Sequence, residues 1–317
     1  MSLQELQDLD LLETKALAGV SFVTLGTIDS NGRSFPIKAV RVGSTDVTKP
    51  VLVLVGGIHG LERIGSQVIV AYLHTLLQQL SWDRDLAATL DDYRILLLPA
   101  MNPVGMARAT RANHRGVDLM RNAPVEAVGE VTPLVSGHRI SRKLPWFRGV
   151  PGVLEPENQL LVDYIKAQVF PSRFALVLDV HSGFGIKDQI WYPFARSKEI
   201  FPREAEVLRL KGLLDRTYPN HIYKVEAQSA NYLTHGDIWD HLFLAHAEEM
   251  DQTQHVFLPL TLELGSWNWL RKNPLQIFTR TGLFHPVKEH RYARIMRRHL
   301  LLFDFLKRAV RNSESWR

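Results

Sequence analysis

Residues 51–62 of this chain read VLVLVGGIHGLE, and this short stretch decides the fold. Its first five residues form a continuous apolar, β-branched run of the kind found in strands that are covered on both faces. The two glycines allow the backbone to turn sharply, and residues 64–73 have the pattern of a helix. A strand, a turn and a helix in this order predict an α/β protein. They place His59 and Glu62 at the carboxyl end of a strand, where open α/β sheets bind their ligands.

The spacing of His59 and Glu62 suits a pair of metal ligands, but spacing alone is a weak signal because the chain repeats it at His246 and Glu249. The surroundings separate the two pairs. No strand pattern precedes His246, which lies in a polar, helical stretch with several acidic residues. We therefore predict a solvated helix face at His246 and Glu249, and a candidate metal site only at His59 and Glu62.

The composition limits the kinds of protein and site that are possible. The chain has 317 residues and is 45% hydrophobic, enough for a large core, and we predict one domain over 1–317. It contains no cysteine, so any transition-metal site must use histidine and carboxylate ligands. Residues 1–18 have an acidic, helical pattern that differs from a secretory signal, and no apolar run is long enough to span a membrane. We predict a cytoplasmic protein that does not bind membranes, and we leave its oligomeric state open.

A net charge of +5 and a pI near 9.4 raise the question of nucleic-acid binding. The basic excess is concentrated after Arg271, but apolar residues recur at helical spacing between 286 and 311. This pattern predicts a packed amphipathic helix with a basic, solvent-facing side. Because the chain contains no known nucleic-acid motif, we expect no nucleic-acid partner.

Six apolar runs predict strands, and four further patterns predict helices. The predicted strands cover residues 20–25, 37–42, 51–55, 94–98, 175–180 and 260–264, and the predicted helices lie near 61–80, 155–168, 203–215 and 286–311. Asn31-Gly32, between the first two strands, is a strong hairpin signal, so we expect a mixed sheet with an antiparallel part. The long loop 123–152 is expected to border an active site.

Two more strand ends carry groups that would complete a hydrolytic metal site. His181 follows the apolar run 175–180, in the same position relative to its strand as His59. Two histidines and a glutamate, with one position open for water, are a known ligand set of catalytic zinc. Glu263 lies inside an apolar strand pattern, where a buried carboxylate can accept a proton from activated water. Pro259 leaves a second interpretation open, with Glu263 at the solvated end of an edge strand.

Residues 110–122 read TRANHRGVDLMRN, and together with these turns they resemble the zinc carboxypeptidases of the carboxypeptidase A type, peptidase family M14. The resemblance is strongest to bacterial cytoplasmic members, which include murein tripeptide amidases. It covers most of the chain, with seven features in the family's order. Besides residues 110–122, these are the His59–Glu62 turn, Asn102-Pro103 with Gly105, Glu155-Pro156-Glu157 at a helix start, His181-Ser182, Tyr232 ahead of Gly236, and Thr261-Leu262-Glu263-Leu264.

The resemblance implies a three-layer α/β/α sandwich around a mixed, mostly parallel twisted sheet, and it implies a metal site. His59, Glu62 and His181 would hold one Zn²⁺ per chain, and Glu263 would act as general base and acid. Asp118 matches the carboxylate that orients a zinc-bound histidine, here His59.

The same resemblance implies how the substrate is held. Arg111 matches the residue that polarises the scissile carbonyl, and Arg121 matches the one that binds the substrate's terminal carboxylate. Tyr232 matches a mobile tyrosine that closes over the substrate. Met120 departs from the family, which has an asparagine there, so one hydrogen bond to the carboxylate should be missing. Trp239 is our candidate for the floor of the side-chain pocket, and it would favour apolar side chains.

These features imply a metallocarboxypeptidase that cleaves the C-terminal amide bond of a peptide or cell-wall peptide with a carboxylate. A second hypothesis is a zinc deacylase of N-acyl amino acids, of the aspartoacylase and succinylglutamate desuccinylase type, which shares the His-Gly-x-Glu turn. That branch is expected to carry a β-rich domain after its catalytic glutamate, whereas residues 264–317 are mostly helical in pattern. A third hypothesis, motivated by Met120, is a catalytically silent binding protein with the same fold.

Overall fold

The computed structural model describes residues 3–279 and 282–317, and in these ranges eight strands form one mixed sheet. The order across the sheet is β1-β2-β4-β3-β5-β8-β6-β7. Strands β4, β3, β5 and β8 are mutually parallel, and β6 runs antiparallel to β8. The strands are β1 (Val20–Ser30), β2 (Arg33–Gly43), β3 (Val51–Gly56), β4 (Arg94–Leu98), β5 (Phe174–Phe184), β6 (Gln189–Tyr192), β7 (Lys224–Ala227) and β8 (Val256–Gly265).

Helices cover both faces of the sheet and make the three layers that the resemblance implied. Helices α2 and α9 contact each other and lie against β3 and β5, whereas α5 and α7 form a second group that contacts β1 and β8. No helix of the described residues is both long and apolar enough to cross a membrane. The helices are α1 (Gln4–Glu13), α2 (Arg63–Leu80), α3 (Arg84–Ala88), α4 (Pro103–Arg108), α5 (Pro156–Gln168), α6 (Glu204–Thr217), α7 (Ile238–Glu249), α8 (Trp267–Lys272) and α9 (Glu289–Arg311).

The six predicted strands and the four predicted helices all form, although several bounds differ. The N-terminal helix is shorter than the predicted 1–18, covering Gln4–Glu13, and residues 1 and 2 lie outside the described residues. The patterns did not reveal β6 and β7, because each has only four residues and shows too few alternations to be recognised. Asn31 and Gly32 both have positive φ, as the predicted two-residue hairpin requires.

The edge-strand interpretation of Glu263 is wrong, since β8 lies inside the sheet between β5 and β6. Pro259 is accommodated there because β6 is short and pairs with β8 only from Thr261 to Glu263. The proline therefore lies outside that antiparallel ladder, where its missing N–H has no effect on the pairing.

The turn after β3 depends on two glycines. Gly57 has φ +70°, and a Cβ there would come within 2.8 Å of the Met106 sulfur. At Gly60 a Cβ would lie only 2.0 Å from the carbonyl carbon of Gly105, at the start of α4, so no side chain fits. This close contact holds His59 and Glu62 at the edge of the sheet, immediately before α2.

Candidate metal centre and active site

The parallel register of β5 and β8 brings two of the predicted site residues together. His181 is the direct cross-strand partner of Glu263, and the β3 to α2 turn adds His59 and Glu62 at the same edge of the sheet. All four side chains are buried or nearly so. The four residues were predicted from three separate strand ends, and the sheet makes them neighbours.

His59, Glu62 and His181 form a compact group that can hold a metal ion. The Nδ1 atoms of the two histidines lie 3.1 Å apart. Glu62 places Oε1 2.9 Å from Nδ1 of His59 and Oε2 3.1 Å from Nδ1 of His181. Ligands on a zinc tetrahedron with bonds of about 2.0–2.1 Å lie about 3.3 Å apart, so the observed spacing is close to that of a zinc site.

The outer nitrogens of both histidines contact carboxylates. His59 Nε2 lies 3.2 Å from Asp118 Oδ1, and His181 Nε2 lies 2.6 Å from Asp179 Oδ2. Because a carboxylate accepts hydrogen bonds, each Nε2 would donate its proton to its carboxylate when a cation is bound, and each Nδ1 would then be free to bind that cation beside Glu62. The two Nδ1 atoms and the Glu62 carboxylate face one another, and such acceptors repel unless positive charge lies between them. The donor set therefore fits a cation such as Zn²⁺.

The electrostatics of the group also favour positive charge. Burial alone would lower the pKa of His181, but Asp179 and Glu62 raise it well above its ordinary value. Burial would likewise raise the pKa of Glu62, yet the two histidines hold it below the usual range. The carboxylate is thus kept ionised, as a metal ligand must be.

Asp179 is a residue that the sequence reasoning missed, and Trp239 lies elsewhere than we predicted. Asp179 is fully buried, and its Oδ2 accepts hydrogen bonds from His181 and from Trp239 Nε1, the latter at 2.8 Å. Trp239 is therefore behind His181, and it is not among the described residues that line the cavity. The signal for Asp179 was its position two residues before His181, on the same face of a strand.

Glu263 lines the cavity beside the candidate ligands and has an unusual environment. Burial, and then the negative charge of Glu62, raise its pKa to about 8. Its Oε2 is buried and has no hydrogen-bond partner among the described residues. A cation bound next to it would favour its ionised form. A carboxylate with one unoccupied oxygen in a cavity can accept a proton from a water or a substrate group.

Arg111 is linked to the metal group through Asp118. Its Nε donates to Asp118 Oδ2 at 2.7 Å, and its Nη1 lies 3.4 Å from Glu62 Oε1. Burial would raise the pKa of Asp118, but Arg111 and His59 hold it well below its ordinary value. Asp118 thus contacts His59 and Arg111 at once, and the guanidinium lines the cavity next to the candidate ligands.

Arg121 and Met120 lie side by side in the cavity wall. Both side chains are largely buried. Two hydrogen bonds hold Arg121 in place: its Nε donates to the Val135 carbonyl at 3.4 Å, and its Nη1 donates to the Met120 carbonyl at 3.3 Å. Tyr232 also lines the cavity, with its ring 5.8 Å from that of Phe184. The structure therefore brings Arg111, Arg121 and Tyr232 into one cavity with the candidate ligands and Glu263.

The cavity has a volume of about 590 Å³, which suits a small peptide-sized ligand. The loop 123–152 contributes Thr132, Val135, Pro145 and Trp146 to its wall, so this loop borders the site as predicted. Other walls are aromatic, and the only charged side chains among the described lining residues are those of the metal group and its neighbours. The cavity is thus largely apolar, with a few convergent polar groups.

The second pair, His246 and Glu249, forms no comparable site, but our prediction of a solvated surface is wrong for His246. This histidine is 1% exposed, and its ring lies between those of Phe170 and Phe257, with centroid distances of 5.0 and 5.3 Å. Burial lowers its pKa to about 4. Glu249 is on the outside of the helix and pairs with Lys166. The helix thus points the two side chains in different directions.

The sequence profile of the zinc carboxypeptidase family, peptidase family M14, matches residues 9–270, and the chain belongs to this family. The resemblance stated from the motifs is thereby confirmed. Solved structures show the same fold. Bovine thrombin-activatable fibrinolysis inhibitor, in complex with tick carboxypeptidase inhibitor, superposes with a TM-score of 0.71 at 17% identity, covering 98% of this chain and 97% of that one. Carboxypeptidase A from Helicoverpa armigera gives 0.66 at 20% identity, covering 96% and 71%.

Curated relatives are similar in sequence over part of their length. Carboxypeptidase B from Helicoverpa zea is 27% identical over 210 residues, 60% of this chain and 46% of the relative. Carboxypeptidase Z from Mus musculus is 28% identical over 279 residues, 74% and 40%. The inactive metallocarboxypeptidase ECM14 from Saccharomyces cerevisiae is 26% identical over 226 residues, 66% and 49%. The matched parts thus span about half or less of these relatives, which include proteins named inactive.

Proposed function

We propose that this protein is a zinc-dependent metallocarboxypeptidase, which hydrolyses the C-terminal amide bond of a peptide or peptide-like substrate. The observation that supports this most directly is the placement of Glu263 in one cavity with the convergent His59, Glu62 and His181. A silent protein would have no need for a buried, unpartnered carboxylate beside an intact ligand set. Family membership supports zinc as the metal, one ion per chain.

Each residue has a distinct task in the proposed reaction. Zn²⁺ held by the three ligands would polarise the substrate carbonyl and lower the pKa of a water. Glu263 takes the proton of the attacking water and passes it to the leaving amine. Arg111 donates hydrogen bonds to the carbonyl oxygen as it becomes negative. Asp118 and Asp179 keep the two histidine rings in the orientation that ligation needs.

Arg121 is proposed to bind the terminal carboxylate of the substrate, because its guanidinium is held in the cavity wall and can make two parallel hydrogen bonds. Met120 beside it has only a weakly accepting sulfur and no donor, so the carboxylate receives fewer hydrogen bonds than an asparagine would allow. Tyr232 is proposed to cover the bound substrate. We expect an ordinary peptide or a cell-wall peptide with a free carboxylate as substrate, and the cytoplasm as its location.

A substrate panel tests this proposal. The zinc-loaded protein would be incubated with peptides that have a free C-terminus, the same peptides as C-terminal amides, murein peptides and N-acyl amino acids, and the products identified by mass. Release of single C-terminal residues from free peptides supports the proposal. Cleavage of N-acyl amino acids alone would establish the deacylase. No cleavage by a protein that retains zinc would establish the silent binding protein.

A further inference from the structure

A second cleft lies next to the active-site cavity, and its lining is strongly basic. It has a volume of about 510 Å³ and is lined by Lys187, Lys272, Arg291, Arg294 and Arg298. Asp188 is the one acidic residue among the described lining residues. Five cations and one acid leave an excess of four positive charges, compared with +5 for the whole chain. The net charge of the protein is thus concentrated largely in this one cleft.

Only part of the charge of this basic cleft is used within the described fold, where Arg291 Nη1 donates to the Trp269 carbonyl at 3.0 Å. Asp188 accepts a hydrogen bond from the Gly265 N–H at 2.9 Å, and its ion pair with Arg298 is long, at 3.8 Å. Within the described ranges, Lys187, Lys272 and Arg294 form no ion pair, and all three side chains are exposed. Like charges that repel without compensation lower stability, so such a cluster indicates an anionic ligand.

The basic cleft and the active-site cavity share a wall. Phe184 and Trp267 line the cavity, with their rings 5.2 Å apart. Their neighbours in the chain line the cleft: Ile186 and Lys187 follow Phe184, and Asn268 follows Trp267. Consecutive Cα atoms are 3.8 Å apart, so Lys187 is at most about 12 Å from Phe184. The β5 to β6 turn, which carries Ile186 and Lys187, lies at the carboxyl end of β5 and β8, the same edge of the sheet that carries the metal group.

We propose that the basic cleft binds an acidic segment of the substrate on the amino-terminal side of the cleaved bond. This inference rests on the proposed function, because the substrate carboxylate at Arg121 leaves the rest of the peptide to extend out of the cavity. An extended peptide advances about 3.3–3.6 Å per residue, so a peptide that passes Phe184 needs about three or four further residues to reach Lys187. Among the described lining residues, Trp269 is buried and the only other rings are the imidazoles of His221 and His290. The cleft thus has no accessible Phe, Tyr or Trp ring on which bases could stack, which favours a peptide over a nucleic acid.

Binding measurements test the inference without depending on turnover. Two fluorescein-labelled octapeptides would share their C-terminal pair of residues, one with four glutamates preceding the pair and one with four serines. Their affinities for the zinc-loaded Glu263→Gln protein would be read by fluorescence anisotropy. At low ionic strength we expect the acidic peptide to bind at least about tenfold more tightly, with the difference shrinking near 0.15 M salt because exposed charges are screened.

Charge reversal locates the binding. The double variant Lys187→Glu with Arg294→Glu should lose at least about tenfold in affinity for the acidic peptide and little for the neutral one. The control is Arg209→Glu with Arg216→Glu, two exposed residues of α6 that line a different groove and change the net charge equally. This control should lose less than about threefold.

The possible results separate this inference from the proposed function. Equal affinity for both peptides, or equal losses in the two double variants, would overturn the basic cleft as a binding site for acidic peptides. So would tighter binding of a labelled single-stranded oligonucleotide of similar charge with the same dependence on Lys187 and Arg294. Hydrolysis by the wild-type protein is recorded in parallel. Its absence, with the affinity difference retained, would count against the peptidase and still support the cleft.

Discussion

The same His-x-x-Glu spacing occurs twice in this chain and has two different structural outcomes. At His59 and Glu62 it lies in a turn between a buried strand and a helix, and both side chains point to one shared position. At His246 and Glu249 it lies inside α7, where the histidine enters the core and the glutamate stays at the surface. Ligand spacing thus acquires chemical meaning only from the element that carries it.

The largest expected effect comes from removing the histidine of each pair. His59→Ala should lose zinc and lower kcat/KM by more than about 10³-fold, because the ion that would polarise the carbonyl is gone. His246→Ala should keep one zinc per chain and most of its activity, although the cavity in the core will reduce thermal stability. Metal content by mass spectrometry and peptide hydrolysis measure both effects. Loss of zinc from both variants would refute the contrast.

Glu263→Gln separates metal binding from catalysis at the site that the first pair forms. The amide cannot accept a proton, so we expect kcat to fall by about 10²–10⁴-fold while zinc content is unchanged. Glu249→Gln, the matched change in the second pair, should leave kcat within about twofold, because that glutamate is exposed on the helix surface. Intact turnover in Glu263→Gln would show that another group moves the proton.

Trp239→Phe tests whether the packing behind His181 matters for the metal. The change removes the indole N–H that donates to Asp179, and the zinc affinity should fall by about 10-fold or somewhat less. Asp179→Asn should lower the zinc affinity more, by about 10–100-fold, because the amide holds His181 Nε2 less strongly. Competition with a chromogenic zinc chelator measures these affinities. Unchanged affinity in both variants would mean that Asp179 does not orient the ligand.

Met120→Asn restores a hydrogen-bond donor next to Arg121. If Arg121 binds the substrate carboxylate, kcat/KM for peptides with a free C-terminus should rise by about 2–10-fold, and mainly through a lower KM. C-terminally amidated peptides are the control, because they lack the carboxylate. An equal gain for both kinds of peptide would assign the effect to packing rather than to carboxylate recognition.

The smallest effect concerns the pH dependence of stability and the buried His246. Its pKa is lowered to about 4 in the folded protein, so it stays neutral while the unfolded chain takes up a proton below its ordinary value of 6.5. Protonation therefore favours unfolding as the pH falls from 6.5 to about 4. His246→Gln should make this loss of stability less steep. Part of the loss should remain, because burial also lowers the pKa of His299 to about 4. Urea unfolding of the metal-free protein at several pH values measures the slope, and an unchanged slope would contradict the assignment.

Much of the candidate site could be predicted from sequence because its parts are local. An apolar run followed by glycines identifies a strand end, and this identified the turns that carry His59, Glu62 and His181 one at a time. Arg111, Arg121 and Asp118 came from a resemblance, which family membership now supports. The prediction that Trp239 forms the floor of the side-chain pocket was wrong. Its indole instead donates to Asp179, which is sixty residues away in the chain, so no local pattern could show this contact.

The sequence by itself determined the α/β class, the strand-end positions of the candidate ligands and the absence of thiolate chemistry, because these follow from local patterns and composition. Only the tertiary structure decided which strands are neighbours, and hence that His181 lies directly beside Glu263. It also decided that His246 is buried and that five basic side chains from separate segments line one cleft. These outcomes depend on contacts between distant residues, whose free energies come from the packing of the whole domain rather than from any single segment.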